Sequence, residues 1–231
     1  MWNNYFLQIR KKYSMRVSSK EPLIINFDGK DVTKNKDFNI LEEYKGSFRY
    51  AICLAAKYFS NKYKCLCIYG GDEISFIFEN PMDLINDINS DNNTFSTEII
   101  SVFSQYFFDY FNRFYDGEKI FFHGKCFSIH KDKIKSFIKY KSKLIEVLTT
   151  TYFLKKNNVH KAGNIKLNEK IDMCLEYPEY KKFIDIQKGV MYYSGNQIDL
   201  ESFLNDKISV INDKEDVIEF DESMFSDILG T

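Results

Sequence analysis

One short stretch constrains the fold of this chain more than any other: two glycines and two carboxylates between two apolar runs. The apolar runs are residues 65–69 and 74–78, and the stretch 70–73 between them reads Gly-Gly-Asp-Glu. Apolar runs joined by Gly-Gly are typical of a β-hairpin, because glycine adopts the positive φ angles of a tight turn. The sequence therefore predicts a hairpin that turns at the two glycines. Asp72 and Glu73 then lie at its tip, where carboxylates are ordinarily solvated.

An apolar run upstream of the hairpin, residues 22–27, ends in Asp28, Gly29 and Lys30. If this strand lies beside the hairpin, Asp28 and Asp72 come to the same edge of one sheet. Two converging carboxylates repel each other and favour a divalent cation, and Gly29 lets its backbone carbonyl approach the same ion. The pattern predicts a Mg²⁺ site of Asp28, Gly29 and Asp72, with open positions for phosphate oxygens.

The order of predicted elements indicates an α+β fold. Residues 48–59 carry apolar side chains at helical spacing after Ser47, a suitable N-cap. A strand, a helix and a hairpin in this order begin a ferredoxin-like palm sheet. Apolar patterns further predict helices over 81–88 and 96–114 and a third sheet segment over 120–129. We therefore expect an antiparallel sheet with helices packed on one face, followed by a helical C-terminal extension.

We divide the chain into a core, residues 1–130, and an extension of helices and short strands, residues 131–231, that completes the catalytic domain. At the start of the extension, lysines repeat at every fourth position of a predicted amphipathic helix. Like charges at this spacing weaken an isolated helix, and an anionic partner such as RNA relieves the repulsion. A solvated lysine face gives the same pattern. The four candidate RNA-binding residues are Lys131, Lys135, Lys139 and Lys143.

Composition and charge indicate a globular protein without a bias toward one class of partner. The chain is 44% hydrophobic and 17% aromatic, and its net charge of -1 predicts neither nucleic-acid nor membrane binding. Its 5 cysteines include no CxxC pair, and reduced thiols are typical of the cytosol. No apolar run is long enough to cross a bilayer. We expect a cytoplasmic protein with no membrane partner, whose acidic tail beyond Asp199 is solvated.

Four features follow the order of a known enzyme family. They are the 28–30 corner, the 71–76 hairpin, the basic segment before a long helix, and Gln187-Lys188-Gly189 near the end. With these features the chain resembles the tRNA-His guanylyltransferase family and its Thg1-like relatives, which add nucleotides to RNA 5′ ends in the 3′-to-5′ direction on a polymerase palm. The resemblance implies a nucleotidyltransferase that adds guanylate to tRNA-His or repairs tRNA 5′ ends. It also implies GTP and ATP as substrates and a homodimer or homotetramer.

The resemblance also implies roles for individual residues. Asp28, the Gly29 carbonyl and Asp72 would be the ligands of two Mg²⁺ ions. Glu73 would support the second aspartate as a further catalytic residue. Other residues would contact the nucleotide, the lysines among them through charge-assisted hydrogen bonds to phosphate. These candidate nucleotide- and phosphate-binding residues are Lys30, Lys45, Gly71 and Lys188.

Departures from the family pattern keep two alternatives open. Asn26 stands where the family usually has arginine, Gly71 replaces a phosphate-holding serine, and Gln187 replaces an arginine. One alternative is therefore a palm that senses nucleotide or RNA without catalysis. The other is a cyclase that makes a cyclic dinucleotide, because the stretch 70–73 also resembles the GGDEF signature, although Ile74 stands where that signature has phenylalanine.

Overall fold

The centre of the structure is an antiparallel sheet to which the described residues contribute eight strands. Along the sheet they lie in the order β4-β1-β3-β2-β5-β6-β7-β8. The strands are β1 (Leu23–Gly29), β2 (Leu66–Gly70), β3 (Glu73–Phe78), β4 (Phe122–Ser128), β5 (Val190–Tyr193), β6 (Asn196–Ile198), β7 (Ser209–Ile211) and β8 (Val217–Glu219).

This computed structural model describes residues 16–30, 32, 39, 41–88, 96–205, 209–211 and 217–219. The acidic tail beyond Asp199, which the sequence predicts to be solvated, lies partly outside them, and its described part adds β7 and β8 to the sheet. None of the described helices is both long enough and apolar enough to cross a membrane.

Helices pack on both faces of the sheet. They are α1 (Phe48–Tyr63), α2 (Met82–Asp87), α3 (Ser96–Asn112), α4 (Ile134–Lys156), α5 (Leu167–Leu175) and α6 (Leu200–Leu204), with 3₁₀ segments at Lys131–Lys133, Ala162–Asn164 and Pro178–Ile186. From β1 to β4 the main elements follow the order βαββαβ, which is the ferredoxin-like arrangement. The predicted α+β class is confirmed.

One face of the sheet is an apolar layer under α1 and α3. Alternate residues of a strand point to the same side, so Leu23, Ile25 and Phe27 of β1 all enter this layer, where they are fully buried. Phe103 and Phe107 of α3 stack on the Phe27 ring, with centroids 5.9 and 4.8 Å away. The broad aromatic stripe of α3 is therefore core, as its spacing predicts.

The opposite face of the sheet is covered by α4. Its residues Ile134, Ile138 and Ile145 pack in a second apolar cluster with strand residues such as Ile24 and Ile68. β5, which also follows residue 130, pairs with β2 in the same sheet. The extension is thus built onto the core sheet, and α4 lies directly over the hairpin.

Two local details differ from the sequence prediction. The hairpin turn is formed by Gly71 and Asp72 and not by the two glycines, because Gly70 already pairs with Glu73. Gly71 supplies the positive φ of the turn, 61°. The second difference is the lysine repeat, since Lys131 lies in a 3₁₀ turn before α4 and is not part of the helix.

Replacing Gly70 by alanine should destabilise the fold by about 1–3 kcal/mol, the usual cost of overpacking. The added Cβ would lie 2.3 Å from Ile145 Cγ2 on α4, which is far inside contact distance. Urea unfolding followed by circular dichroism measures the change.

The matched control is Gly163→Ala, because a Cβ at that position has no neighbour within 4 Å. It should change the free energy of unfolding by less than about 0.5 kcal/mol. Equal stability of the two variants would contradict the close packing of α4 on the hairpin.

Candidate active site

Three carboxylates come together where the β2–β3 hairpin turns beside the end of β1. Asp28 of β1 is the cross-strand partner of Glu73 on β3. Asp72 lies in the adjoining turn, and the backbone amide of Gly29 donates a 2.9 Å hydrogen bond to its carbonyl oxygen. Strand alternation places Asp28 on the face opposite Phe27, which is the face covered by α4. The structure therefore brings the three predicted catalytic residues to one place.

These carboxylates form one end of a cavity of about 520 Å³ between the sheet and α4. Phe137, Tyr140 and Leu144 of α4 line its other side. The volume falls within the usual range for small-molecule sites. Asp28 and Asp72 thus face a common space that is large enough for a ligand.

Two of the carboxylates are buried, so the interpretation of Asp72 and Glu73 as solvated tip residues is wrong. Each is only 7% exposed, whereas Asp28 is partly exposed. Burial follows from α4, which crosses above the turn and excludes water from it. A buried carboxylate needs a compensating cation or hydrogen bonds. The groups around Asp72 and Glu73 show how this need is met.

Loss of hydration and mutual repulsion raise the pKa of both aspartates. Burial is the main cause for Asp72, whose pKa rises to about 6, and the charge of Asp28 adds to it. The pKa of Asp28 is also raised, first by burial and then by the neighbouring Glu73. Because the ionised forms destabilise each other, a divalent cation between them would be bound favourably.

Lys141 of α4 is the cation closest to this group, and sequence reasoning missed its role. It is 4% exposed and forms an ion pair with Glu73 Oε1. Its position between the buried Ile138 and Ile145, on the apolar side of α4, was the available signal. The lysines at every fourth position indicate an anion-binding surface on another side of the helix, which does not include Lys141.

A second lysine that sequence reasoning missed lies on β4. Lys125 is the cross-strand partner of Asn26 and lines the cavity. Its charge lowers the pKa of Asp28 in opposition to burial. Asn26 itself, which stands at the family's arginine position, is buried and accepts a 2.6 Å hydrogen bond from Ser75 Oγ. The positive charge is thus supplied from the neighbouring strand.

The donor atoms present are those that Mg²⁺ prefers, oxygens of carboxylates and carbonyls. Glu73 Oε2 is buried and has no hydrogen-bond partner among the described residues, so it is available to a cation. A Cβ at Gly29 would lie 2.6 Å from Val32 Cγ2 and 3.2 Å from Asp72 Cβ, so glycine suits the crowded end of β1. In the described part of the chain, no three His, Cys, Asp or Glu side chains form a metal cluster. An ion would therefore depend on carbonyl and ligand oxygens as well.

The four predicted phosphate-binding residues do not line this cavity. Lys30 directly follows β1 and is exposed, and Lys45 is exposed just before the N-cap of α1. Gly71 lies in the turn but faces a small neighbouring pocket. Lys188 pairs with Glu201 in a separate cavity of about 420 Å³ beside β5 and β6. Their contacts with phosphate stay predictions.

The four predicted RNA-binding lysines differ in their surroundings. Lys131 and Lys143 each form an ion pair with a glutamate, at 2.8 and 3.0 Å. Lys135 is partly buried. Lys139 is exposed, and the described residues provide no ion pair for it. Of the four, Lys139 is the one best placed to meet an anion.

Comparison with known proteins gives matches in structure alone. No protein-family model and no curated protein sequence matches the chain. A solved bacterial tRNA(His) guanylyltransferase (Thg1)-like protein in complex with ATP matches with a TM-score of 0.58 and 16% identity, over 84% of this chain and 88% of that one. This chain has the Thg1-like fold. The resemblance drawn from the motifs is confirmed at that level.

Two further solved structures agree with the Thg1-like fold. A bacterial Thg1-like protein in complex with GTP gives a TM-score of 0.55 at 15% identity, covering 83% of each chain. The tRNA(His) guanylyltransferase of Saccharomyces cerevisiae gives 0.52 at 13% identity, covering 81% of this chain and 93% of that one. The likeness spans most of each chain.

Replacing Lys141 by methionine should destabilise the protein by roughly 3–5 kcal/mol, because Glu73 is left buried without its cation. The double variant Lys141→Met/Glu73→Gln should recover more than half of this loss, since neither position of the pair then carries an unpaired charge. Guanidinium unfolding of the three proteins measures both differences.

The control for Lys141 is Lys188→Met, which removes a pair whose side chains are 43% and 55% exposed. It should cost less than about 1 kcal/mol. A Lys141→Met variant as stable as the wild type would show that the buried pair does not form.

Asp72→Asn should stabilise the metal-free protein at neutral pH and leave it unchanged in acid. The pKa of Asp72 in the folded state is raised from 3.8 to about 6, so the folded protein binds this proton more tightly than the unfolded chain. The resulting stability is present below about pH 4 and is lost as the pH rises to about 6. Above that, the variant avoids a penalty on the order of 1–3 kcal/mol.

Melting temperatures in chelator at about pH 3.5 and about pH 7.5 measure this effect. Added Mg²⁺ should raise the melting temperature of the wild type at the higher pH and have little effect on Asp72→Asn. The exposed Asp83→Asn serves as control and should behave as the wild type under each of these conditions. A variant less stable than the wild type near pH 7.5 would overturn the assignment of a raised pKa.

Proposed function

We propose that the protein is a Mg²⁺-dependent nucleotidyltransferase that adds nucleotides to the 5′ end of an RNA, in the 3′-to-5′ direction, with a tRNA as the substrate. The observation that carries the proposal is the meeting of Asp28 and Asp72 in one cavity beneath α4. The fold supports it, because the matching structures are named as tRNA(His) guanylyltransferases and Thg1-like proteins. Two of them hold ATP and GTP, which supports nucleotides as ligands.

The residues that would hold magnesium are Asp28, Asp72 and the Gly29 carbonyl. Bound there, two ions would activate a hydroxyl, neutralise charge on the phosphorus under attack and stabilise the leaving group. The protein's own groups complete the arrangement. Lys141 holds Glu73 in place beside the aspartates. Lys125 lines the same cavity and is positioned to contact a phosphate oxygen.

The proposed reaction has two steps. The RNA 5′ end must first carry a leaving group. It is either converted to an adenylate or already bears a triphosphate. The 3′-hydroxyl of the incoming nucleotide then attacks the 5′ phosphorus, a new phosphodiester forms, and AMP or pyrophosphate leaves.

A palm that binds nucleotides without catalysis is the second candidate, and one observation favours it. The ammonium of Lys141 is fixed within the carboxylate group by its ion pair with Glu73. A permanent positive charge there neutralises part of the negative charge that would attract a second divalent ion. Product analysis separates this candidate from the first.

Incubation with 5′-truncated tRNA, labelled nucleotides and Mg²⁺ tests the proposal. The wild type should produce 5′-extended RNA, and chelation of the metal should abolish the product. Asp72→Asn should lower incorporation at least about 100-fold, because loss of metal binding removes several kcal/mol of transition-state stabilisation. Asp83→Asn, an exposed acid on α2, should keep full activity.

Other products of the same assay decide against the proposal. A cyclic dinucleotide would identify a cyclase. If no product forms, binding of GTP or ATP in a separate calorimetric titration would identify a sensor. Undiminished incorporation by a folded Asp72→Asn variant would refute the role of the carboxylates.

A further inference from the structure

The cavity that holds the carboxylates has two chemically different sides. At one end Asp28, Asp72 and Glu73 present oxygens, and on the other side α4 presents mostly carbon, since its Lys141 ammonium is paired with Glu73. Phe137, Tyr140, Leu144 and Leu148 all line that wall. Their three- and four-residue spacing keeps them on one side of the helix. A ligand that fills the cavity therefore needs a charged part and a flat, weakly polar part.

Tyr140 differs from the other aromatic residues of the wall. Its side chain is 61% exposed although it lines the cavity. The Phe137 ring, by contrast, packs edge-on against Phe127 with centroids 6.0 Å apart, and the Lys141 ammonium lies 6.0 Å from it. Among the described residues no ring packs against Tyr140. Phe137 is thus part of the wall, whereas the face of the Tyr140 ring is open to a ligand.

Resting on the proposed function, we propose that Tyr140 is the stacking platform for a nucleobase whose phosphates lie at the carboxylate end of the cavity. An aromatic side chain stacks on any base, because every base has a π face. Tyrosine is suited to this use, since few rotamers are lost when it is immobilised. The acidic end, once it holds a cation, attracts the polyphosphate of the same molecule. A nucleotide satisfies both sides of the cavity at once.

The base has two possible sources, the incoming nucleoside triphosphate and the 5′-terminal nucleotide of the RNA. Both offer a base joined to phosphate, so the same platform serves either. Titrations with each ligand separately distinguish them. The first arm uses ATP, GTP and inorganic tripolyphosphate with Mg²⁺, and the second uses a short 5′-triphosphorylated RNA and its 5′-hydroxyl form.

Tyr140→Ala and Tyr140→Phe are compared with the wild type in both arms. The wild type should bind ATP more tightly than tripolyphosphate. Tyr140→Ala should weaken ATP binding about 5- to 100-fold, the usual effect of removing one stacked aromatic ring, and leave tripolyphosphate unchanged. Tyr140→Phe keeps the ring and should bind ATP as the wild type does. Because the side chain is largely exposed, none of these changes should lower the melting temperature.

The matched control is Tyr106→Ala, an exposed tyrosine on α3 at the other face of the sheet. It should leave binding of all ligands unchanged. A loss in Tyr140→Ala that is confined to the RNA arm supports the platform with the RNA's terminal base as its occupant. Equal ATP and RNA binding by Tyr140→Ala and the wild type overturns the platform.

Asp72→Asn separates this inference from the function on which it rests. If Asp72→Asn loses Mg²⁺-dependent nucleotide binding while Tyr140→Ala retains it in full, the platform fails and the proposed function stands. If the wild type binds neither ATP, tripolyphosphate nor the 5′-triphosphorylated RNA in the presence of Mg²⁺, both fail. An equal loss of ATP and tripolyphosphate in Tyr140→Ala would also overturn the platform, since stacking acts on the base alone.

Discussion

The buried ion pair between Lys141 and Glu73 is the contact on which the rest of the site depends. It joins α4 to the first residue of β3, and Ile145 adds close packing against Gly70 one turn further along. A charge pair in a low-dielectric interior is favourable in few geometries, because any separation leaves both charges desolvated. The pair therefore fixes where α4 crosses the sheet. The space left beside that crossing is the cavity at Asp28 and Asp72.

Local pattern was sufficient to predict the elements from β1 to β4, but it predicted neither the strands beyond Asp199 nor what packs across the sheet. Apolar periodicity located α1, α3 and the hairpin, and glycine chemistry located the turn to within one residue. The sequence predicts that Asp28 and Asp72 lie at one edge of a sheet, because each follows an apolar strand. Lys125 and Lys141 were missed, since their roles arise from the pairing of β4 with β1 and from the placement of α4. Such contacts join residues distant in sequence, where periodicity carries no information.

The departures from the family motifs have different physical meanings. Asn26 is a buried partner of Ser75, so its polarity is satisfied inside the sheet. Gly71 has a positive φ that a serine would adopt only with strain. Both residues thus have structural roles in this chain. The cations near the carboxylates are contributed by β4 and α4.

The dual use of α4 limits how its length can vary. The same helix turns the buried lysine and the apolar wall toward the cavity and the exposed lysines toward solvent. Since successive residues of an α-helix are about 100° apart, a single insertion or deletion ahead of Lys141 would rotate everything after it by that angle. The ammonium would leave Glu73 and an outward-facing residue would take its place. Substitutions on the solvent side of α4 cost little stability by comparison. The number of residues ahead of Lys141 is therefore fixed, whereas the identity of the outward-facing residues can vary.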